Sequence, residues 1–257
     1  MTDQSGHQKA ILEQFTKQAE PFLKKMSPAD EAVLQIYLEA TGVTAQDTVL
    51  DIACGPGLVA CAFAGVARHV TGIDLTPAMI AQAKKLQESK GLTNMTWQVG
   101  DVLPLPFAGA SFSLVITRYS FHHFLDPQAV LAEMVRVCTS GGTVMVVDVV
   151  LPPEKVDAYN RMEKLRDSSH TQALTLDQFL DIARGCGLGE IATRFYRLEM
   201  ELEAQLKASF PEPGNTDKLR QIFREDIGKD RLGVGAHLKG GKIYFAFPNL
   251  VLVGKKI

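Results

Sequence analysis

Five short apolar runs, near residues 48–53, 69–74, 95–100, 112–117 and 142–150, alternate with stretches of helical patterning near 57–67, 77–90 and 127–138. That alternation limits the fold more than any other feature of the chain. Parallel strands need long crossover connections, and these are right-handed, so the expected product is a parallel sheet with helices on both faces. Acidic residues recur beside the strand ends: Asp51 before the turn Gly55-Pro56-Gly57, Asp74 closing the second run, and Gly100-Asp101 closing the third. In such a sheet they line the carboxyl edge, where open α/β sheets take their ligands.

Val49 to Gly57 reads as a buried strand and a glycine turn, with a helix opening at once from Leu58. Glycine permits the unusual torsions of such a turn and the close approach of a ligand. The helix start presents unpaired N–H groups to an anion. Taken alone, Gly55 to Ala60 also fits the relaxed dinucleotide-binding pattern, which keeps a nicotinamide-dependent oxidoreductase as a rival. Against it stand the acid Asp51 just ahead of the turn, a third edge acid at Asp101, and a tail without a recognisable second catalytic domain.

The pieces Leu50-Asp-Ile-Ala-Cys-Gly-Pro-Gly57, Gly72-Ile-Asp74-Leu-Thr-Pro-Ala-Met79, Gly100-Asp101, and Asp126-Pro through Arg136-Val-Cys-Thr-Ser-Gly-Gly142 occur in order. Here the chain resembles the class I S-adenosylmethionine-dependent methyltransferases, and more narrowly the type 11, ubiquinone/menaquinone-biosynthesis group. The resemblance runs from about Thr48 to Val150. It implies a Rossmann-like seven-stranded sheet, mostly parallel with an antiparallel last strand, N-terminal helices and a helical lid. It also implies S-adenosylmethionine as cofactor and S-adenosylhomocysteine as product. The N–H groups of Gly55 to Leu58 suit the methionine carboxylate, and Asp74 the ribose hydroxyls. Asp101 and the Val102 amide suit the adenine edge, and Leu75 and Met79 its faces. Asp51 would fix the loop or meet the amino group through water. Ala53, Gly57, Gly100 and Arg118 complete the expected cofactor set.

The 257 residues fit one methyltransferase domain, with a helical cap over 1–45, a cofactor core over 46–150 and a substrate half over 151–257. Within that half, about 201–241 reads as a helical insertion closing over the site. Composition is ordinarily globular, with 46% hydrophobic and 22% charged residues. A net charge of −2 and a pI near 6.3 provide no general field for nucleic acid. No apolar leader or spanning run appears, and the four scattered cysteines suggest neither a zinc site nor a disulfide framework. The expectation is a cytoplasmic protein without membrane insertion that acts on a small-molecule acceptor, with a homodimer left open.

Methyl transfer requires an aligned acceptor, exclusion of water and, for some acceptors, a base. The fourth strand leads into Arg118-Tyr-Ser-Phe-His122-His123-Phe-Leu-Asp126, and histidine is readily poised as a base near neutral pH. The alternative is that both histidines only hold the loop. A metal site through His122, His123 and Asp126 is disfavoured, because the spacing matches no helical ligand pair. Beyond the fifth strand, Arg166-Asp167-Ser-Ser-His170 resembles an Arg-Asp-Pro-Ser-His stretch of a type 11 sub-group, with Ser168 in place of the proline. On a helix from Lys155 to His170, residues Asn160, Glu163, Asp167 and His170 would form one polar stripe. Arg166, Asp167 and His170 are therefore expected to face the acceptor opposite the histidine pair; a solvent-facing stripe is the plainer alternative. Leading helices would lie across the cofactor, with Phe15 either touching the ligand or lying in the core. Two other functions remain in view, a non-catalytic S-adenosylmethionine-binding protein and the oxidoreductase.

Overall fold

The computed structural model describes residues 4–23 and 28–257, and the side chains of these outside 20–30. The sequence offers Ser27 or Asp30 as a possible cap for the second leading helix; Ser27 and the Asp30 side chain lie outside the described residues. Helices α1 (Gln4–Leu23) and α2 (Pro28–Thr41) precede the sheet. Its first half runs β1 (Thr48–Ile52), α3 (Leu58–Ala64), β2 (His69–Asp74), α4 (Pro77–Ser89), β3 (Met95–Val99), β4 (Phe112–Arg118), α5 (Pro127–Val137) and β5 (Cys138–Val149). Then follow α6 (Pro153–Arg166), α7 (Leu176–Gly185), β6 (Leu188–Glu201), α8 (Leu202–Ser209), α9 (Asn215–Asp226), β7 (His237–Lys239) and β8 (Lys242–Lys256).

The sheet order is β3-β2-β1-β4-β5-β8-β6, with β1 to β5 parallel and β8 antiparallel to both β5 and β6. This is the mostly parallel sheet with an antiparallel last strand that the family resemblance implies, but among the described residues it has eight strands rather than seven. The extra strand, β7, folds back onto β8 through Gly240-Gly241, both with positive φ. A two-residue hairpin turn of the primed kind needs that conformation at its centre, and the glycine pair is its sequence signal. β8 also runs unbroken through Pro248, which lies just past the Val149–Asn249 pair at which the β5 ladder ends. A missing N–H there interrupts no pairing with β5.

Strand residues alternate between two packed layers, as a sheet covered on both faces requires. Leu50, Ile52, Val115, Val144 and Val146 face α5 and α7 in one cluster. Val49, Val70, Leu114, Ile116, Met145 and Val147 face α2 and α3 in the other. Gly72 in β2 leaves room for the Trp97 ring; a Cβ there would lie 2.4 Å from it. A third cluster joins α6, α8, α9 and β8 through Tyr159, Met162, Leu206, Phe223 and Phe245, so the segment after β6 has its own packed core.

The helix expected to reach His170 ends at Arg166. Asp167 leaves the helical conformation and its carboxylate accepts hydrogen bonds from the Ser169 N–H at 3.0 Å and the Ser169 hydroxyl at 2.5 Å. A short acidic side chain that captures the backbone two residues ahead competes with helix propagation. The four-residue stripe is therefore broken after Glu163. His170 instead folds back to place its Nε2 2.9 Å from Asn160 Oδ1.

Candidate functional site

A cavity of about 490 Å³ opens at the carboxyl ends of β1, β2 and β4, roofed by Gln4, His7, Gln8, Ile11 and Phe15 of α1. Its floor is the turn after β1. Gly57 has φ 81°, and a Cβ there would meet Trp97 and Ala83 at 2.7 and 2.9 Å. Asp74 braces the turn: its two oxygens accept the N–H groups of Gly55 and Thr76, each at 2.8 Å. Burial raises its pKa, and these bonds work against that shift.

Asp51 is 2% exposed, and its Oδ2 has no hydrogen-bond partner. Burial, with the Asp74 charge as a smaller contribution, pushes its pKa up to about 8. Asp101 Oδ1 accepts the Val102 amide at 2.7 Å, and Oδ2 accepts the Gln8 side-chain amide at 2.6 Å. Arg118 stands over the Tyr119 ring at 4.3 Å, its Nε buried without a partner. The Tyr196 hydroxyl lies 2.5 and 2.8 Å from those of Tyr37 and Tyr119. Among the described residues no carboxylate forms an ion pair with this guanidinium.

A second cavity of about 350 Å³ adjoins the first, and Phe15, Leu58, Arg118, Tyr119 and His123 line both. One wall is apolar, with Val149, Leu198, Met200, Ala204, Ala208 and Phe247. The other carries His122, His123, Tyr159, Glu163, Arg166 and Asp167. His122 Nδ1 lies 2.6 Å from Oδ1 of Asp148, a carboxylate 1% exposed. Burial disfavours the imidazolium, but Asp148 outweighs it and holds the pKa of His122 above its ordinary value. His123 differs. Burial and the neighbouring His122 lower it to about 4, while its Nδ1 faces the Ser169 carbonyl at 3.1 Å.

Phe15 meets the His123 ring edge-on, at 5.1 Å between centroids. Burial opposes the charge of Asp167, yet His123, Arg166 and the Ser169 hydrogen bonds hold it down at about 2. Glu163 and Arg166 form a buried ion pair, with Arg166 Nε 2.9 Å from both carboxylate oxygens. His170 stands behind this wall, its ring 5.5 Å from that of His122, and burial depresses it to about 2.

Residues 50–146 match the methyltransferase-domain family of type 11. The chain carries a methyltransferase domain. Over 251 residues it is 27% identical to an uncharacterized methyltransferase of Bacillus subtilis, YcgJ, an alignment covering 94% of this chain and 97% of the relative. The crystal structure of YcgJ superposes with a TM-score of 0.81 at 24% identity, covering 88% of this chain and 98% of that one. A demethylmenaquinone methyltransferase of Thermus thermophilus is 33% identical over 108 residues, 41% of this chain and 49% of its own length. A phosphoethanolamine N-methyltransferase of Haemonchus contortus, solved with S-adenosyl-L-methionine, shares the fold at TM-score 0.63 and 19% identity, over 88% of this chain and 52% of that one.

Of the expected cofactor set, the structure places Asp51, Ala53, Gly55, Asp74, Leu75, Met79, Asp101, Val102 and Arg118 on the larger cavity. Gly57 and Gly100 shape the backbone without lining it. Of the acceptor set, His122, His123, Arg166 and Asp167 line the smaller cavity and His170 does not. Asp126 is engaged elsewhere, capping α5 through the Ala129 amide at 2.9 Å. Sequence reasoning missed Asp148 and the tyrosines around Arg118. The signal for Asp148 was a lone acid inside the apolar run Val144-Met-Val-Val-Asp148-Val-Val150; buried charges in strands are retained with partners. Among the described residues no helix is long and apolar enough to cross a membrane.

Proposed function

We propose that this protein transfers a methyl group from S-adenosylmethionine, held in the larger cavity, to a small molecule held in the smaller one. The observation that carries the reading is the pair of adjoining cavities with Arg118 and His123 at their junction, beside three strand-end carboxylates. The residues suit the cofactor group by group. Asp51 has a buried oxygen in want of a donor, which the amino group supplies, and Arg118 is a cation in want of an anion, which the carboxylate supplies. Asp74 suits the ribose hydroxyls. Asp101 and Val102 suit the adenine edge, between Leu75 and Met79. When bound, the sulfonium supplies an activated methyl group for in-line displacement. The protein's part is to align the acceptor from the neighbouring cavity and keep water out, with α1 and α8 as covers.

The test is incubation of the full chain with methyl-labelled S-adenosylmethionine and fractionated metabolite extracts, followed by mass identification of labelled product. Calorimetric binding of a nicotinamide dinucleotide with none of S-adenosylmethionine would refute the reading.

A further inference from the structure

The acids that line the smaller cavity are already engaged. Glu163 is paired with Arg166 and Asp167 is bonded to Ser169. At the cavity's outer end, Glu199 and Glu201 are paired with Lys239 and Lys242. Among the described residues each of these acids already has a partner, which leaves the wall without a free carboxylate to draw in an ammonium group. What the wall does offer is a histidine fixed in orientation. Asp148 takes His122 Nδ1 at 2.6 Å and also accepts the His122 backbone amide at 3.3 Å and that of Val149 at 2.7 Å. A carboxylate so held fixes the imidazole tautomer with its proton on Nδ1 and leaves Nε2 as a lone pair.

We infer that His122, positioned by Asp148, is the base for a hydroxyl acceptor: a compact, largely apolar molecule carrying a weakly acidic O–H of the phenol or enol class. This rests on the methyl-transfer reading above. The acceptor O–H proton passes to His122 Nε2, the oxygen electron pair forms the bond to the methyl carbon, and the carbon–sulfur bond breaks with its pair going to sulfur. The products are a methyl ether, neutral S-adenosylhomocysteine and an imidazolium that returns its proton to water. The apolar wall of Leu198, Met200, Ala204 and Phe247 receives the rest of the molecule. His123, with Nδ1 on Ser169 and a depressed pKa, stays uncharged at the junction. His170, with Nε2 at Asn160, stays uncharged behind the wall. The base must be neutral, so turnover rises with pH through the ionisation of His122, which Asp148 holds above the ordinary histidine range; Tyr159, Glu163 and Arg166 are the other ionisable groups facing it.

The experiment uses the full chain, methyl-labelled S-adenosylmethionine and two probe panels, small phenols (catechol, 2-naphthol) and small amines (benzylamine, phenethylamine), with cofactor binding measured in parallel by calorimetry. The expected result is label on phenols, with His122→Ala lowering kcat about 10²-fold or more and added imidazole restoring part of it. Asp148→Asn should lower kcat and move the pH midpoint downward while cofactor affinity stays the same; a merely structural role would not move that midpoint. Should Asp148→Asn fail to fold, imidazole rescue of His122→Ala carries the same test. Label on amines only, an unmoved pH midpoint in Asp148→Asn, or full turnover in His122→Ala would overturn the assignment. Cofactor binding without transfer to phenols would overturn it alone; failure to bind the cofactor would overturn the methyl-transfer reading as well.

Discussion

Replacing Asp51 by Asn should uncouple cofactor binding from proton release. With its pKa pushed up to about 8, Asp51 is about nine-tenths protonated at pH 7. An incoming ammonium group requires the carboxylate, so binding at pH 7 should release about 0.9 proton and affinity should rise about tenfold per pH unit below 7. Near pH 8 the cofactor's own amino group, at about 8 as for α-amino groups generally, starts to lose its proton, and affinity should pass through a maximum there. Asp51→Asn loses a charge-assisted hydrogen bond of about 1.5–3 kcal/mol, so at pH 8 it should bind about 10- to 150-fold more weakly, with no slope below pH 7. Calorimetry in buffers of differing ionisation enthalpy, repeated from pH 6 to 9, reads both quantities. Negligible proton release by the wild type at pH 7, or a slope that survives in Asp51→Asn, would refute the pairing of this carboxyl with the amino group.

The same raised pKa acts on folding: the unfolded chain gives up the Asp51 proton more readily, so stability of the ligand-free protein should fall as pH rises from about 4 towards 8. Asp51→Asn should flatten that decline in chemical-denaturation curves. Gly72→Ala should cost about 1–3 kcal/mol of stability, because the new Cβ would press on a Trp97 ring pinned by its bond to Gln87 at 2.7 Å; an unchanged melting temperature would contradict that packing. Asp74→Ala should weaken cofactor binding by about 1.5–3 kcal/mol, and undiminished affinity in a titration would remove Asp74 from the ribose. Gln8→Ala frees the Asp101 carboxylate and should speed cofactor association in stopped-flow measurements, whereas slower association would mean that Gln8 itself holds the nucleobase.

Much of the sheet could be read from the chain because three of the parallel strands lead into residues with no business in a buried run: Asp74, the pair Gly100-Asp101, Arg118. Their spacing alone puts Asp51, Asp74 and Asp101 at one edge of the sheet. The acceptor side was less legible because its residues meet through long-range packing. Asp148 reaches His122 across 26 positions and Ser169 reaches His123 across 46, and no local period encodes such pairs. The polar stripe failed for a local reason instead: Asp167 carries a side chain able to take over a backbone N–H, and helical spacing ignores that competition. β7 escaped because three residues beside a glycine pair are too few to show alternation.

Helix α1 touches both chambers. Gln8 holds Asp101 in the larger, Gln14 and Gln18 hold the Ser209 carbonyl of α8 at the smaller, and His7 sits 2.7 Å from the His123 carbonyl where they meet. The two cavities therefore share one covering helix. Were α1 to swing out far enough to admit a nucleoside at one end, it would break its bonds to Ser209 of α8 at the other, and the two occupants would be expected to exchange together.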